Sequence, residues 1–216
     1  QCFSIKVFDL IKTDIVGVEE SYIGTILDPH ELARAVRGCD YVMHLAASLG
    51  VQHTEVNRLE CLHINIQGTI NVLEASIKEG VKKIVFSSSS EVYGDQKEKS
   101  ISEDAPLNPK SNYAISKLAG EEYLKAYSKT YGLKYNVCRL FNIYGEHQRE
   151  EFVLPIFLKN AFNRNALRIY GDGNQIRSFC YVSDAAKGLV SALLDGNPGE
   201  IYNIGNNTEP IAVKHL

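Results

Sequence analysis

The sequence predicts an α/β fold in which a doubly wound parallel sheet is covered by helices on both faces. Short apolar runs rich in β-branched residues alternate with segments of helical period, and the loops between them are short. Glycine follows a predicted helix end, as at Glu79-Gly80. With 216 residues, 44% of them hydrophobic and 23% charged, the chain has the composition of a globular protein rather than a disordered or fibrous one.

The first part of the chain shows the strand and helix order of βαβ units. Apolar runs predict strands near residues 5 to 9, 22 to 26, 40 to 45, 82 to 87 and 134 to 140. Helical periodicity predicts helices near residues 29 to 37, 55 to 79 and 112 to 131. Because helices then connect successive strands, we expect a parallel sheet.

The pattern becomes less regular after about residue 145. It predicts a helix near residues 152 to 163, a strand around 167 to 170, a helix near 184 to 194 and a strand near 200 to 204. We therefore divide the chain into a main domain, residues 1–145, and a small C-terminal subdomain, residues 146–216. We expect the second part mainly to bind substrate, with some segments returning to the sheet.

Charge and cysteine content narrow the classes of partner. The 23 basic and 26 acidic residues give a net charge of −3 and are scattered, which argues against binding to nucleic acid or to a membrane surface. Small molecules are the expected partners. An odd number of cysteines without a CxxC pair indicates reduced, structural thiols and a cytoplasmic protein. These cysteines are Cys2, Cys39, Cys61, Cys138 and Cys180.

The two ends of the sequence suggest that the natural chain is longer. The sequence starts at Gln1 rather than at methionine and opens almost directly on a predicted strand. It stops within an amphipathic stretch at residues 211–216 that has no helix stop signal. We expect further residues on both sides.

Tyr113 and Lys117 are the first candidates for chemistry. Four residues apart on a predicted helix, the phenol and the ammonium share one face. A nearby ammonium stabilises a phenolate and lowers the tyrosine pKa, which a tyrosine acting as a general base requires. Chance alone predicts about one Tyr-x-x-x-Lys pair in a chain of this composition, so the surrounding sequence must decide.

A second such pair, Tyr93 and Lys97, lies in a glycine-containing loop, where side chains four residues apart need not face each other. The first pair has the more specific context. Ser111-Asn112 offers a helix N-cap, and a serine run at residues 87–90 ends the preceding predicted strand. Taken alone, this serine run is typical of a polar strand end. Together with Tyr113 and Lys117 it predicts a ligand-binding site, because hydroxyls at the carboxyl end of a parallel strand face the ligand crevice.

These residues, in this order, resemble the NAD-dependent nucleotide-sugar epimerases and dehydratases of the extended short-chain dehydrogenase/reductase family, which have a Rossmann-like fold. The resemblance runs through Val7-Phe8-Asp9, Leu27-Asp28, His44-Leu45-Ala46-Ala47, residues 63–69, residues 87–94, Tyr113 with Lys117, Arg139-Leu140-Phe141-Asn142 and residues 175–179. It implies NAD as cofactor. The NAD-binding residues that it implies are Asp9, Asp28, Leu45, Ala46, Ala47, Asn65, Ser87, Tyr113 and Lys117.

The resemblance also implies a nucleotide-diphosphate sugar as substrate. The catalytic residues would be Tyr113, Lys117, Ser89 and Glu91, and the substrate-binding residues Ser89, Asn142 and Arg177. A guanidinium at position 177 suits a diphosphate. An aspartate at position 9 that binds the ribose 2′-hydroxyl would repel a 2′-phosphate, which favours NAD over NADP.

One part of the family pattern has no counterpart in this sequence. The family's first strand and its Gly-x-x-Gly-x-x-Gly turn hold the cofactor pyrophosphate at a helix N-terminus. We therefore expect the first βα unit to be missing from these 216 residues, and we expect the residues as written to bind NAD poorly.

In the implied mechanism, Tyr113 as phenolate takes the proton of the sugar 4-hydroxyl while a hydride passes from carbon 4 to NAD, which gives a 4-keto sugar. Lys117 would hold the ribose, and Ser89 would hydrogen-bond the reacting oxygen. Glu91 favours a dehydratase-like or decarboxylase-like second step, although Ser90 stands where thymidine-linked glucose dehydratases carry aspartate. An epimerase stays open, as does the interpretation of Glu91 as a solvated loop carboxylate.

Two other classes of function stay open. A non-catalytic NAD- or nucleotide-sensing protein could keep this fold, and a reductase of small carbonyl compounds would need the Tyr/Lys pair but not Arg177. We interpret His44 as a structural strand residue, and we predict no metal site because His53, His63 and His147 lack ligand spacing. By analogy with the family, the helices near 55 to 79 and 112 to 131 would form a homodimer interface.

Overall fold

A computed structural model describes residues 3–96 and 100–216. Its strands are β1 (Lys6–Asp9), β2 (Glu20–Ile23), β3 (Tyr41–His44), β4 (Lys83–Ser89), β5 (Lys134–Leu140), β6 (Ile143–Tyr144), β7 (Ile176–Arg177), β8 (Cys180–Tyr181), β9 (Ile201–Ile204) and β10 (Ile211–Ala212). Its α-helices are α1 (Pro29–Val36), α2 (Val51–Val56), α3 (Arg58–Leu62), α4 (Gly68–Lys78), α5 (Asn112–Tyr131), α6 (Val153–Phe162) and α7 (Val182–Leu194).

The main sheet is parallel and has the strand order β3-β4-β5-β9. Strand β1 pairs in parallel with β2 in a separate sheet. The α/β class and the parallel pairing predicted from the sequence are confirmed. Strand β9, from the C-terminal part of the chain, joins the main sheet beside β5, so a segment of that part does return to the sheet.

Strand β4 forms the centre of the core because every one of its residues is buried. Ile84 and Phe86 pack with Leu73 of α4 and Leu124 of α5 on one side. Val85 packs with the α7 side chains Leu189 and Ala192 on the other side, as a parallel sheet with helices on both faces requires.

Helix α5 has the bounds that the sequence predicts. At its start the Ser111 hydroxyl accepts a hydrogen bond from the Ala114 amide at 3.0 Å. At its end Gly132 has φ +74°, a left-handed conformation that costs glycine little. Both signals are local, which explains why the sequence predicts them.

The predicted helix at 55 to 79 is wrong as one continuous helix. It is divided into the end of α2, α3, a π-helical turn at His63–Gln67, and α4. The π turn holds one extra residue per turn and directs Asn65 into the interior. Apolar periodicity does not distinguish such a turn from ordinary helix, so the sequence does not predict it.

The predicted strand at 167 to 170 is also wrong, since these described residues form no strand. Leu167, Ile169 and Tyr170 are exposed instead. The two-residue strands β6, β7, β8 and β10 are not predicted from the sequence, because they are too short to show a pattern. Strand β2 begins two residues earlier than predicted.

Cys39, Cys61, Cys138 and Cys180 are free thiols, as predicted, and Cys2 lies outside the described residues. Among the described residues, no helix has both the length and the apolar character needed to cross a membrane.

Candidate active site

A cleft of about 540 Å³ opens at the carboxyl ends of β3, β4 and β5. It is lined by Leu45 and Ala47 after β3, by residues 87–91 at the end of β4 and by residues 142–148 after β5. Parallel strands bring their carboxyl ends to one edge of the sheet, where ligands of such folds bind. The cleft therefore lies where the fold predicts a ligand.

Tyr113 and Lys117 both line this cleft from the start of α5. The Lys117 Nζ lies 5.7 Å from the centre of the Tyr113 ring, so the two side chains share a face as their spacing predicts. The ammonium is buried, lies 4.9 Å from the centre of the Phe86 ring and donates a hydrogen bond to the Ser87 carbonyl at 2.7 Å. Helix α5 is thus fastened to the end of β4.

Burial lowers the pKa of Lys117 to about 8, so the ammonium form still predominates at pH 7. Burial raises the pKa of Tyr113 above its ordinary value, the Glu91 carboxylate raises it further, and a hydrogen bond with Ser89 opposes the rise. From the residue spacing, Lys117 is expected to lower this pKa. That expectation is wrong for the structure as described, because desolvation of the phenolate is the larger effect.

Ser89 and Glu91 follow one another around the end of β4. The Ser89 hydroxyl accepts a hydrogen bond from the Glu91 amide at 3.2 Å and caps the 3₁₀ turn Ser90–Tyr93. The Glu91 carboxylate is exposed in the cleft, and its Oε2 accepts a hydrogen bond from the Ser111 hydroxyl at 2.9 Å. Since Ser111 also caps α5, Glu91 is tied to the start of the helix that carries Tyr113.

Asn65 is buried in the π turn and holds the loop that follows β3. Its Oδ1 accepts a hydrogen bond from the Ser48 amide at 2.7 Å, and its Nδ2 donates to the Ser48 carbonyl at 3.0 Å. Nδ2 also donates to the Ser116 hydroxyl at 2.9 Å, which links the loop to α5. In this arrangement Asn65 positions the β3 loop and does not line the cleft.

His44 lies at the end of β3 and is buried. Its Nε2 hydrogen-bonds the Thr69 hydroxyl at 3.0 Å, and Thr69 in turn donates to the Asn65 carbonyl at 2.6 Å. Burial and the Lys117 charge lower the pKa of His44 to about 3, so the ring is neutral. The interpretation of His44 as a structural histidine is confirmed.

Besides Asn65, three predicted cofactor residues lie outside the cleft lining. Asp9 is the exposed last residue of β1, where its Oδ1 accepts a hydrogen bond from the Ile11 amide at 3.3 Å. Asp28 caps α1 by accepting a hydrogen bond from the His30 amide at 2.9 Å. Ala46 is exposed between two lining residues.

The two remaining substrate candidates are placed differently. Asn142 lines the cleft with φ +40°, and its Nδ2 donates to the Ser178 carbonyl at 3.2 Å. Arg177 is exposed in β7 and donates to the neighbouring Ile176 carbonyl at 2.8 Å, away from the cleft lining. The described structure therefore gathers most, but not all, of the predicted residues. Those gathered are Leu45, Ala47, Ser87, Ser89, Glu91, Tyr113, Lys117 and Asn142.

The far wall of the cleft, which is not predicted from the sequence, contains Tyr144, Glu146, His147 and Phe179. The parallel pairing of β6 with β8 brings this wall together, and the Tyr144 and Phe179 rings pack edge to face at 6.2 Å. Strands of two residues leave no periodic signal, so the sequence offers no pattern for this pairing.

The second Tyr-x-x-x-Lys match does not form a site among the described residues. Tyr93 is fully buried at the end of the 3₁₀ turn, and Lys97 lies outside the described residues.

Known proteins are similar to this chain in sequence and in fold. A model of the NAD dependent epimerase/dehydratase family matches residues 9–205. A Methanocaldococcus jannaschii protein named as a candidate UDP-glucose 4-epimerase is 42% identical over 174 residues, which cover 79% of this chain and 56% of that protein. A UDP-N-acetyl-alpha-D-glucosaminuronate decarboxylase of Bacillus cytotoxicus is 38% identical over 193 residues, or 86% of this chain and 60% of the decarboxylase.

A solved dTDP-glucose 4,6-dehydratase of Streptomyces venezuelae, with NAD bound, superposes with a TM-score of 0.93 at 31% identity. The superposition covers 100% of this chain and 70% of the dehydratase. This chain thus spans little more than half the length of the curated relatives described above. The named activities of the three proteins differ.

Proposed function

Because this chain belongs to the NAD dependent epimerase/dehydratase family, we propose that its protein oxidises a nucleotide-diphosphate sugar at carbon 4 and acts through a 4-keto sugar. The observation that supports this proposal is the grouping of Tyr113, Lys117 and Ser89 in one cleft at the carboxyl edge of the sheet. A phenol, an ammonium and a hydroxyl around one point can bind an alcohol oxygen and move its proton.

The residues of the cleft fit NAD. Leu45 and Ala47 offer small apolar contacts at the end of β3, where a flat ring system can approach the backbone. Lys117 has one hydrogen-bond acceptor among the described residues, the Ser87 carbonyl, so its other N–H groups are available to ribose hydroxyls. When bound, NAD supplies the hydride acceptor for the sugar oxidation.

Tyr113, in its phenolate form, takes the proton of the sugar 4-hydroxyl. Ser89 lines the cleft beside Tyr113, lowers the pKa of that phenol and is placed to hold the same sugar oxygen. The Lys117 ammonium, 5.7 Å from the centre of the tyrosine ring, supplies a positive charge beside which a phenolate can form once ligand binding offsets the effect of burial. The raised pKa of free Tyr113 means that ligand binding must favour the phenolate before the proton can move.

Glu91 determines what happens to the 4-keto sugar. Its exposed carboxylate lines the cleft and acts electrostatically on Tyr113, so it lies near the same sugar. A 4-keto group acidifies the proton on carbon 5, and a carboxylate there can remove it as a general base. We therefore place 4,6-dehydration first, with 4-epimerisation as the alternative in which Glu91 takes no part.

Decarboxylation of a sugar acid is a second alternative, and the charge of the cleft disfavours it. Among the described lining residues, three are acidic (Glu55, Glu91 and Glu146), while Lys117 is the single lysine and no arginine is present. A uronate carboxylate would meet like charges there, whereas a neutral sugar would not. The proposed substrate is therefore a neutral hexose linked to a nucleoside diphosphate.

Product mass tests the proposal. The protein that contains this chain is incubated with NAD and uridine-, guanosine- and thymidine-linked sugars, both neutral and acidic. We expect a product lighter by one water from a neutral sugar, and loss of that product in Glu91→Gln. An unchanged mass with altered stereochemistry would support the epimerase, and loss of carbon dioxide the decarboxylase.

A non-catalytic sensing protein is distinguished by the same experiment. If the protein is such a sensor, the original protein and Glu91→Gln would both bind NAD and the nucleotide sugar, and neither would convert the sugar to a product. Protection by nucleoside diphosphates also separates the proposed function from a reductase of small carbonyl compounds, which has no need to bind them.

A further inference from the structure

A buried polar network lies directly beneath the cleft. Arg139 of β5 and Glu121 of α5 form a two-pronged ion pair, with Nε to Oε1 at 3.0 Å and Nη2 to Oε2 at 2.7 Å. The Ser88 hydroxyl donates to the same carboxylate at 2.5 Å. Both charged side chains are fully buried, so this contact fixes β4, β5 and α5 relative to one another.

Tyr93 extends this network to the turn that carries Glu91. Its hydroxyl accepts a hydrogen bond from Arg139 Nη1 at 2.8 Å and donates one to Asn203 Oδ1 at 2.7 Å. The ring is fully buried, and the Arg139 guanidinium lies 4.8 Å from its centre. Tyr93 is the last residue of the 3₁₀ turn Ser90–Tyr93, so the network holds the far end of that turn.

Two further hydrogen bonds hold the backbone of the turn around Glu91. The Ser89 hydroxyl accepts from the Glu91 amide, and the Gly94 amide donates to the Glu91 carbonyl at 3.1 Å. Glu91 itself is exposed, and its carboxylate has a single hydrogen bond to Ser111 among the described residues. The position of this carboxylate in the cleft therefore depends on how firmly its backbone turn is anchored.

We infer that Tyr93 is a positioning residue, whose hydroxyl anchors the Ser90–Tyr93 turn and so places the Glu91 carboxylate against the substrate. This inference rests on the proposed role of Glu91. Tyr93 touches neither the cleft nor the reacting atoms. It acts on the second step through Glu91. Lys117 is held by the Ser87 carbonyl, and Tyr113 lies on α5, where the bond from the Ala114 amide to the Ser111 hydroxyl does not require Glu91.

The test is Tyr93→Phe, which removes only the hydroxyl. The ion pair of Arg139 with Glu121 remains, and Arg139 Nη1 keeps the Glu103 carbonyl at 3.0 Å. Tyr135→Phe is the matched control, because Tyr135 is also buried but lies at the opposite end of the sheet, near the start of β5. Both variants are compared with the original protein.

The first readout is amide hydrogen exchange, which needs no substrate. In Tyr93→Phe we expect the Glu91 and Gly94 amides to exchange about tenfold faster. The variant loses the hydrogen bond from Arg139 to the Tyr93 hydroxyl, so the turn should open more often. The amides in the middle of α5 should exchange unchanged. Unchanged exchange at Glu91 and Gly94, or an equal increase in Tyr135→Phe, would overturn the inference.

The second readout separates the two chemical steps. In Tyr93→Phe, reduction of NAD in a single turnover should stay within about twofold, while kcat for product falls about tenfold and KM changes little. The double variant Tyr93→Phe/Glu91→Gln should be no slower than Glu91→Gln alone, because both changes act through one carboxylate. Equal slowing of both steps, or fully additive losses, would contradict the inference.

Failure of the proposed function gives a different pattern. If the original protein converts no nucleotide sugar, the proposed function is wrong, and the exchange experiment alone decides whether Tyr93 anchors the turn. If the protein turns over but Glu91→Gln has no effect, the claim that Tyr93 acts through Glu91 is overturned.

Discussion

The Tyr113 hydroxyl is the atom on which the proposed oxidation depends. Replacing Tyr113 with phenylalanine keeps the ring in the cleft wall and removes the group that moves the proton. We expect kcat to fall by a factor of about 10² to 10⁴, the range for loss of a positioned acid–base group. Steady-state assays of nucleotide-sugar conversion measure this change.

Tyr123→Phe is the control for that substitution. Tyr123 lies on the same helix but is exposed and outside the cleft lining. Its loss of a hydroxyl should leave kcat within about twofold of the original value. Similar losses in both variants would show that the helix, and not the Tyr113 hydroxyl, is responsible.

His44 predicts a pH dependence of stability. Its native pKa of about 3 lies below the unfolded value of 6.5, so between these pH values the unfolded chain binds more protons. The free energy of unfolding must therefore fall as the pH is lowered from 6.5 towards 3. His44→Gln keeps a donor for Thr69 and should reduce this slope by up to about 1.4 kcal/mol per pH unit.

Urea unfolding at a series of pH values measures that slope. His63→Gln serves as the control, because His63 is exposed and its removal should leave the slope unchanged. An identical acid slope in His44→Gln and in the original protein would contradict the prediction.

Residue spacing and a local cap were enough to predict that Tyr113 and Lys117 face the same site. The buried partners could not be predicted in this way. Arg139 and Glu121 are 18 positions apart, and nothing local distinguishes a buried arginine from an exposed one. The direction of the Tyr113 pKa also depends on burial, which only the folded chain determines.

At the scale of whole elements, Lys83 connects β4 to the end of α7. It is buried, and its Nζ donates to the Ala192 carbonyl at 2.8 Å and to the Gly196 carbonyl at 2.7 Å. Lys83→Met leaves these carbonyls without that donor and removes a positive charge from a helix C-terminus. We expect the free energy of unfolding to fall by about 1 to 3 kcal/mol.

Chemical denaturation measures the free energy of unfolding of Lys83→Met, with Lys82→Met as the control. Lys82 is the next residue, but its side chain is 68% exposed and pairs with Asp40 at the surface. Its replacement should give no measurable change, because exposed ion pairs contribute little. Equal destabilisation by the two substitutions would show that the α7 contact is unimportant.

Elements with signals in their own sequence were predicted best. Helix α5 has a serine cap and a terminal glycine, and β4 is one continuous buried run. The π turn at His63–Gln67 and the pairing of β6 with β8 depend on contacts between distant segments. The apolar residues near 167 to 170 resemble a strand, but in the described structure no neighbouring strand pairs with them.

At the scale of the whole molecule, we expect the protein to form a homodimer. Helices α2, α3 and α5 pack beside one another and leave apolar side chains exposed, including Val56 at 81%, Leu59 at 84% and Ile115. Contiguous exposed apolar residues on helices mark association surfaces. Leu59→Glu should shift the protein from dimer to monomer in light scattering coupled to gel filtration.

Leu158→Glu is the control for that experiment. Leu158 is also exposed, but it lies on α6, outside the expected interface. It should leave the dimer intact. A monomeric original protein, or dissociation by both substitutions, would contradict a dimer built on α2, α3 and α5.

The ion pair beneath the cleft constrains how this protein can evolve. Loss of Arg139 alone would leave the Glu121 carboxylate buried without its counter-charge, and loss of Glu121 would do the same to Arg139. Replacing both by apolar residues removes the unpaired charge and is far less costly. Positions 121 and 139 should therefore change together in evolution. A lineage that replaces only one of the two residues first produces a single variant with an unpaired buried charge, which is less stable than either the original protein or the double variant.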